Sequence, residues 1–434
     1  MSQSFAESIR SQFPVFERRF AGRPLAFFDG PGGSQVPRSV ADAVADTLLF
    51  HNANVHGPFP TSREADAVIA AAREAAVDFL GAGGVGEIAF GANMTTLTFA
   101  FARALSHTWE PGDEVVVTDL DHQANVAPWR RAAEDRGVTV RSVPFDPMTM
   151  QLDLGALEGM LGPRTRLVAV GAASNAVGTV SDVARVAEMA RRVGALVFVD
   201  AVHYAPHRLV DVRALGCDFL ACSAYKFFGT HVGLLWGKPE HMEALHPYKV
   251  PPCADTSPER WETGTLNHEG MAGVTAAIDW IASLAPEPAP SRREALRAAM
   301  ERIGEHETRL FDLLLDGLEG IPGVHVFGPP RGEPRTPTAG FTVQGVHADE
   351  VARRLGDEGV CVWSGNFYAT GVTEGLGIVQ GGGLVRAGVA PYCTEDDVAR
   401  LVEGVARIAA EAGNGSTEDE VRSSGRQEAA ARTA

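Results

Sequence analysis

The sequence predicts an α/β protein in which helices cover both faces of a mostly parallel sheet. From about residue 65 to 240, short apolar runs typical of strands alternate with helical patterns. Polar residues follow the ends of several of these runs, and in such sheets ligands bind beyond the carboxyl ends of the strands. The six polar residues are Thr95, Thr96, His122, Asn175, Asp200 and Lys226.

Individual elements follow from the local patterns. β-rich apolar runs predict strands over 88–90, 114–118, 167–170, 196–199, 219–223 and 233–236. Helical periodicity between them predicts helices over 65–80, 96–106, 126–136 and 183–193. The segment 81–86 matches G-x-G-x-x-G, but it follows a helix and precedes a strand. That order is wrong for a dinucleotide site, so we interpret the segment as a helix C-terminal turn.

A proline-rich break at residues 286–290 marks a change of pattern. It follows a predicted helix over 271–284 and precedes a long amphipathic helix over 291–318. Strands near 324–327 and 340–343 and helices near 348–358 and 395–411 come next. We therefore predict an N-terminal segment (1–25), a large domain (26–290), a smaller α/β domain (291–412) and a disordered tail (413–434).

Composition excludes some kinds of partner. The formal net charge of −17 argues against a nucleic-acid or anionic membrane surface, because phosphate binding needs clustered cations. The five cysteines are odd in number and contain no C-x-x-C pair, which favours a reduced, cytoplasmic protein without a metal site. The first ten residues lack an apolar signal core, and no apolar run approaches the length of a membrane span.

Lysine is rare in this chain, and one lysine stands out. Of the 38 basic residues only Lys226, Lys238 and Lys249 are lysines, and the last two lie in polar stretches that we interpret as surface loops. Lys226 ends an apolar run before a glycine-containing turn. It is either a lysine whose stem is buried and whose amine reaches solvent, or a desolvated amine with a lowered pKa that can attack a carbonyl.

The surroundings of Lys226 favour the chemical interpretation. Asp200 ends another strand, and a lysine with such an aspartate suggests pyridoxal phosphate (PLP), whose ring nitrogen the carboxylate would keep protonated. Residues 91–97 turn from a strand into a helix and could bind phosphate. Asp200 and the two threonines could instead be plain helix caps, and His122 could be a polar residue of a surface loop. Near the C-terminus, the guanidinium of Arg386 could bind a substrate carboxylate, with a structural ion pair as the alternative.

Together these segments, from about Phe28 to Ile408, resemble the cysteine desulfurase-like branch of the class V aminotransferases, which are fold type I PLP enzymes. The resemblance implies that Thr95 and Thr96 bind phosphate, His122 stacks on the ring, Asn175 lies by the cofactor hydroxyl and Asp200 pairs with the pyridinium. It also implies a homodimer, with the 262–265 segment reaching the other subunit's phosphate. The cofactor and substrate residues it assigns are His56, Thr95, Thr96, His122, Asn175, Asp200, His203, Ser223, Tyr225, Lys226, Thr265 and Arg386.

Several positions depart from the family pattern. His203 falls where the family usually has Gln, and Tyr225 replaces the His of Ser-x-His-Lys. The family's R-T-G-H-H-C-like loop, whose cysteine accepts sulfur, corresponds to residues 362–369, with Trp363 at the arginine position and Tyr368 at the cysteine position. Cys361 lies upstream in an apolar run and reads as a small buried hydrophobe.

These departures predict PLP chemistry at Cα without sulfur transfer to a protein thiol. Our first expectation is β-elimination from a cysteine S-conjugate, in which Lys226 removes the α-proton and Tyr368 protonates the leaving sulfur. Trp363, Asn366 and Phe367 would line a roomy substrate pocket, unless the aromatic rings pack the small domain. Cysteine desulfuration, decarboxylation-coupled oxidative deamination, epimerisation and a PLP-binding scaffold without turnover stay open as alternatives.

Overall fold

Two sheets organise the chain. In the computed structural model the backbone is described for residues 5–431 and the side chains for residues 5–413. The strands are β1 (Arg19–Phe20), β2 (Arg23–Pro24), β3 (Ala26–Phe27), β4 (Ile88–Gly91), β5 (Glu114–Thr118), β6 (Thr139–Val143), β7 (Thr165–Gly171), β8 (Leu196–Asp200), β9 (Phe219–Ser223), β10 (Gly233–Gly237), β11 (Val324–Phe327), β12 (Thr338–Val343), β13 (Val360–Cys361), β14 (Trp363–Gly365) and β15 (Leu384–Gly388).

Helices flank both sheets. They are α1 (Phe5–Arg10), α2 (Arg38–Phe50), α3 (Pro60–Leu80), α4 (Met94–Ser106), α5 (Ala127–Arg136), α6 (Leu154–Met160), α7 (Val183–Arg192), α8 (Val212–Leu215), α9 (Pro239–Ala244), α10 (His268–Ala282), α11 (Arg292–Glu319), α12 (Ala348–Asp357), α13 (Thr370–Gly375) and α14 (Glu395–Ala431). None of the described helices is long and apolar enough to cross a membrane.

The larger sheet has seven strands in the order β4-β10-β9-β8-β7-β5-β6. Five of them, β5 to β9, run parallel to one another, and β10 is antiparallel to both β4 and β9. This confirms the predicted mostly parallel sheet. Strands β5, β9 and β10 are buried along their whole length, and β7 and β8 each have one more exposed residue near their start, because helices cover both faces.

Several large-domain elements were not predicted, among them β6 and α2. Strand β6 alternates exposed and half-buried residues at the sheet edge and carries arginine, so it lacks the continuous apolar run of the inner strands. Helix α2 buries only Val40 and Thr47 and leaves Leu48, Leu49 and Phe50 exposed, so its apolar residues do not form one stripe. The predicted turn at 81–86 is confirmed, since Gly81 caps α3 in the left-handed conformation with φ 69°.

The smaller sheet is antiparallel, in the order β11-β12-β15-β14, and helices α11, α12 and α14 pack beside it. β13 pairs in parallel with β3, so the start of the chain lies against this region. The segment after β7 and the segment before β12 form an isolated bridge between Thr179 and Arg335. The predicted division near residue 291 stays a prediction. The tail predicted to be disordered lies, from residue 414 onward, outside the residues whose side chains are described.

Candidate active site

A cavity of about 690 Å³ opens at the carboxyl ends of the parallel strands. Strands β5, β7, β8 and β9 each end at it, because parallel neighbours terminate on the same edge of a sheet. Most of the residues predicted from the sequence border it. They are Thr95, His122, Asn175, Asp200, His203, Ser223, Tyr225, Lys226, Trp363, Asn366, Tyr368 and Arg386.

Lys226 lies in a single 3-10 turn directly after β9. Its Nζ donates hydrogen bonds to the carbonyl oxygens of Pro31 and Gly32, the latter at 3.0 Å. Burial is the main cause that lowers the pKa of this amine to about 7, and the positive charge of Arg386 adds to it. A large fraction of the amine is therefore unprotonated at neutral pH and can act as a nucleophile or base.

Two buried carboxylates lie close together in the wall. Burial raises the pKa of Asp200, the last residue of β8, to about 6. Burial and the charge of Asp200 raise the pKa of Asp121 to about 7. Asp121 accepts from the Gly171 amide at 2.8 Å and from Asn125 Nδ2 at 2.7 Å. Such a pair favours a positive ligand group, as a protonated pyridine would provide.

The sequence analysis did not select Asp121, although it stands next to His122. It also missed Asp29, which lies beside the cavity in the run Phe28-Asp29-Gly30-Pro31. Asp29 Oδ1 is buried without a hydrogen-bond partner, and burial raises the pKa of its carboxyl to about 6. In both cases the available signal was a carboxylate close to the end of an apolar run, which is too common to distinguish a site.

Arg386 and Asn175 present unused polar atoms. Arg386 projects from β15 and donates from a terminal nitrogen to the Asn175 carbonyl at 2.9 Å. Asn175 Nδ2 donates to the Phe367 carbonyl at 2.9 Å. The remaining atoms, Arg386 Nε and Asn175 Oδ1, are buried without a partner, which is costly unless a ligand pairs with them. An acceptor such as a carboxylate fits the first, and a hydroxyl donor fits the second.

Both histidines of the cavity are held neutral by burial. Nδ1 of His122 accepts from the Ala124 amide at 3.0 Å, so the proton of the neutral ring sits on Nε2. Burial, aided by Lys226 and Arg386, lowers the pKa of His122 to about 4. His203 Nε2 lies 3.0 Å from Thr338 Oγ1 and 3.1 Å from Thr336 Oγ1, and burial keeps its pKa well below the usual range.

The turn from β4 into α4 places a helix N-terminus beside the cavity. Asn93 caps the helix by accepting from the Thr96 amide at 2.9 Å, and Ser223 Oγ accepts from the Met94 amide at 2.9 Å. Thr95 borders the cavity at this helix N-terminus. Helix N-termini bind phosphate through their free N–H groups and dipole.

Three predicted residues do not border this cavity. The Thr96 side chain is bound to Asn93 and faces a neighbouring cleft that Thr265 also lines. The His56 side chain is 81% exposed and forms an ion-pair contact with Asp66. Within one chain, therefore, these residues lie outside the pocket that contains Lys226.

Residues 363–368, which we name the aromatic strap, form the outer wall. Besides Asn175, Gln123 holds the strap, since its backbone N–H donates to the Tyr368 carbonyl at 2.7 Å. Phe367 and Tyr368 adopt left-handed φ values of 53° and 57°, which side chains disfavour. Trp363 is 54% exposed and Tyr368 is 70% exposed, so these two rings do not fill a core.

None of the five cysteines is among the described residues that border the cavity. Cys361 lies on β13 and is partly buried, whereas the sequence predicted a buried apolar side chain. Burial and the charge of Asp29 raise the pKa of its thiol to about 11. A thiol with such a pKa is a poor nucleophile at neutral pH.

The chain is similar to known proteins over most of its length. Residues 26–401 match the family model described as aminotransferase class V. The chain is 32% identical to a cysteine desulfurase of Serratia proteamaculans, over 93% of this chain and 98% of that one. It is 35% identical to an uncharacterised protein of Mycobacterium tuberculosis, over 88% and 94%. A solved apo structure of a cysteine desulfurase from Thermococcus onnurineus superposes with a TM-score of 0.84 at 28% identity, over 94% and 99%.

Proposed function

Because this chain belongs to the class V aminotransferase family and is a PLP-dependent enzyme, we propose that it cleaves the C–S bond of a cysteine S-conjugate by β-elimination. One observation carries the proposal. At the position where the resemblance to desulfurases expects a sulfur-accepting cysteine, this chain has Tyr368, and no cysteine is among the described residues bordering the cavity. Elimination needs no protein thiol, whereas desulfuration to a protein acceptor does.

The residues present fit the cofactor. PLP supplies an electron sink for the carbanion that forms at the substrate's Cα. Lys226 would hold it covalently, Asp200 would pair with its ring nitrogen, and the unpartnered Asn175 Oδ1 would accept from its hydroxyl. Thr95 and the N-terminus of α4 would bind its phosphate.

Arg386 and Lys226 would handle the amino-acid part of the substrate. The buried, unpartnered Nε of Arg386 offers a donor to the α-carboxylate, in addition to the terminal nitrogens. The Lys226 amine, whose lowered pKa of about 7 leaves a substantial unprotonated fraction at neutral pH, would take the α-proton at Nζ. Both side chains border one cavity, so binding and proton removal can act on the same molecule.

A proton must also reach the departing sulfur. When the Cβ–S bond breaks, its electron pair stays on sulfur, and the phenol of Tyr368 would protonate it to give a free thiol. The ring of Tyr368 lies 5.4 Å from that of His122, and because Tyr368 is 70% exposed, solvent would return the proton to its phenolate. The remaining carbon fragment is hydrolysed to pyruvate and ammonia.

Cysteine desulfuration is the second candidate, and the similarity to curated desulfurases favours it. Its chemistry would need a reactive thiolate near the cavity. Cys361 is the nearest cysteine in sequence to the aromatic strap, but its raised pKa and its position on β13 weigh against this role.

The deciding experiment compares two reactions in three proteins. Sulfide release from cysteine and pyruvate release from S-benzyl-cysteine are measured with wild type, Cys361→Ser and Tyr368→Phe. We expect Cys361→Ser to retain pyruvate release and Tyr368→Phe to lose about 10²–10⁴-fold, the usual cost of removing a general acid. Fast sulfide release that disappears in Cys361→Ser would overturn the lyase proposal in favour of desulfuration. An absorption spectrum unchanged by every amino acid would indicate a scaffold instead.

A further inference from the structure

The aromatic strap, which forms the outer wall of the cavity, would contact the group attached to the sulfur of the substrate. We propose that this substituent is uncharged and planar, such as an aromatic ring, and that Trp363 is the residue that selects it. The inference rests on the proposed C–S cleavage and goes beyond it by naming the class of S-conjugate.

The position of Trp363 follows from the register of the smaller sheet. Trp363 on β14 stands directly opposite Arg386 on β15 in an antiparallel pair. Residues directly opposite in such a pair project from the same face, with Cβ atoms about 4.5–5.5 Å apart. The indole therefore stands beside the guanidinium that would bind the substrate carboxylate.

Gly32 links the indole to the reactive amine. Lys226 Nζ donates to the Gly32 carbonyl at 3.0 Å, and a Cβ atom added to Gly32 would lie 2.6 Å from Trp363 Nε1. Gly32 thus lies between the indole and the amine that would take the α-proton. A substituent that extends from Cβ through sulfur can reach the ring, which is 54% exposed and has surface available for stacking.

Several polar groups of the aromatic strap already have partners. Ser364 Oγ donates to Asp349 at 2.7 Å, and Asn366 Oδ1 accepts from the Tyr368 amide at 3.0 Å. The carbonyls of Phe367 and Tyr368 accept from the large domain. The strap therefore offers mainly aromatic surface to a substituent, and flat groups stack favourably on such rings.

The distribution of charge disfavours an ionic substituent. The charged side chains bordering the cavity are Asp121, Asp200, Lys226 and Arg386, and residues 363–368 contain none. Arg386, whose guanidinium lies 4.1 Å from the centre of the Phe367 ring, would already pair with the α-carboxylate of the substrate. A carboxylate or ammonium on the substituent would lose water against aromatic rings without gaining a counter-charge, which is costly. A neutral ring loses little water and gains contact.

The test measures thiol release by the PLP-loaded enzyme from four conjugates: S-benzyl-, S-methyl-, S-carboxymethyl- and S-(2-aminoethyl)-cysteine. We expect kcat/KM for S-benzyl-cysteine to exceed the values for the two charged conjugates by at least about tenfold. Trp363→Ala should lower kcat/KM about 10–100-fold for S-benzyl-cysteine, mainly through KM, but less than about threefold for S-methyl-cysteine. Trp363→Phe should restore most of the loss.

Tyr248→Ala, which removes an exposed ring outside the cavity, is the matched control and should change none of the four rates. The absorbance of bound PLP checks that Trp363→Ala still folds and binds the cofactor. Equal rates for charged and neutral conjugates, or equal losses for S-benzyl- and S-methyl-cysteine in Trp363→Ala, would overturn the selection by Trp363 and leave C–S cleavage standing. Thiol release from none of the conjugates would overturn C–S cleavage itself.

Discussion

At the scale of single residues, the reactivity of this site depends on the environment of one amine. Burial and, to a smaller extent, the nearby guanidinium of Arg386 lower the pKa of Lys226 to about 7, and the carboxylate of Asp200 opposes both. An exposed lysine is almost wholly protonated at neutral pH and cannot attack an aldehyde. The cavity therefore makes Lys226 a nucleophile near pH 7.

This environment predicts a pH dependence of cofactor capture. The rate at which the apo protein binds PLP covalently should rise about tenfold per pH unit below pH 7 and level off above it, because only the neutral amine reacts. Arg386→Gln should move the midpoint to higher pH by removing a like charge. Absorbance follows the reaction, and borohydride reduction with peptide mapping locates it. A rate independent of pH between 5.5 and 8.5, or an adduct on Lys238 or Lys249, would contradict the assignment.

At the scale of elements, the turn after β7 joins the two sheets. Gly178 has φ 79°, and its carbonyl accepts from the Thr336 amide at 2.8 Å. A Cβ atom on Gly178 would lie 2.7 Å from the Thr338 carbonyl oxygen and 2.9 Å from that of Thr336. The turn that carries Asn175 into the cavity therefore requires glycine for close contact as well as for backbone conformation.

Gly178→Ala should destabilise the protein by about 2–4 kcal/mol, combining backbone strain with overpacking. Gly112→Ala is the matched control, since Gly112 also has positive φ (91°) but has open space around its Cβ position. It should cost only the strain, about 1–2 kcal/mol. Urea unfolding of the two apo variants measures the difference. Equal losses would show that contact with β12 adds nothing at Gly178.

At the scale of the whole molecule, one surface is unusually apolar. Leu48, Leu49 and Phe50 at the end of α2 and Phe59 before α3 are 48%, 73%, 67% and 49% exposed. Clustered exposed apolar residues mark interaction surfaces. The same region carries His56, which borders no cavity within one chain although the family resemblance assigns it to the substrate entrance. We propose that a second copy of the chain covers this surface.

The double variant Leu49→Asp/Phe50→Asp should therefore be monomeric in light scattering and should lose PLP faster than wild type. A dimer interface excludes such charges, because they would be desolvated without partners. Met148→Asp changes an apolar residue that is 86% exposed elsewhere and should leave the assembly unchanged. A wild-type protein that is monomeric, fully active and firmly bound to PLP would rule out the shared-site dimer.

The sequence by itself determined the class of fold and the inner half of the site. Alternating strand and helix patterns are local, so each element could be predicted from its own residues. In a parallel sheet the carboxyl ends share one edge, so polar residues at separate strand ends, such as His122, Asp200 and Lys226, had to converge. The family motifs then connected these residues to PLP.

Only the tertiary structure decided the rest. Strand order, the antiparallel placement of β10 and the register that sets Trp363 opposite Arg386 are long-range pairings, and local periodicity does not encode them. Tertiary contacts also determined that Thr95 faces the cavity while Thr96 faces away, and that Asp121 lies beside Asp200. Burial depends on what the remainder of the chain places around a group, so the lowered pKa of Lys226 is a property of the assembled fold.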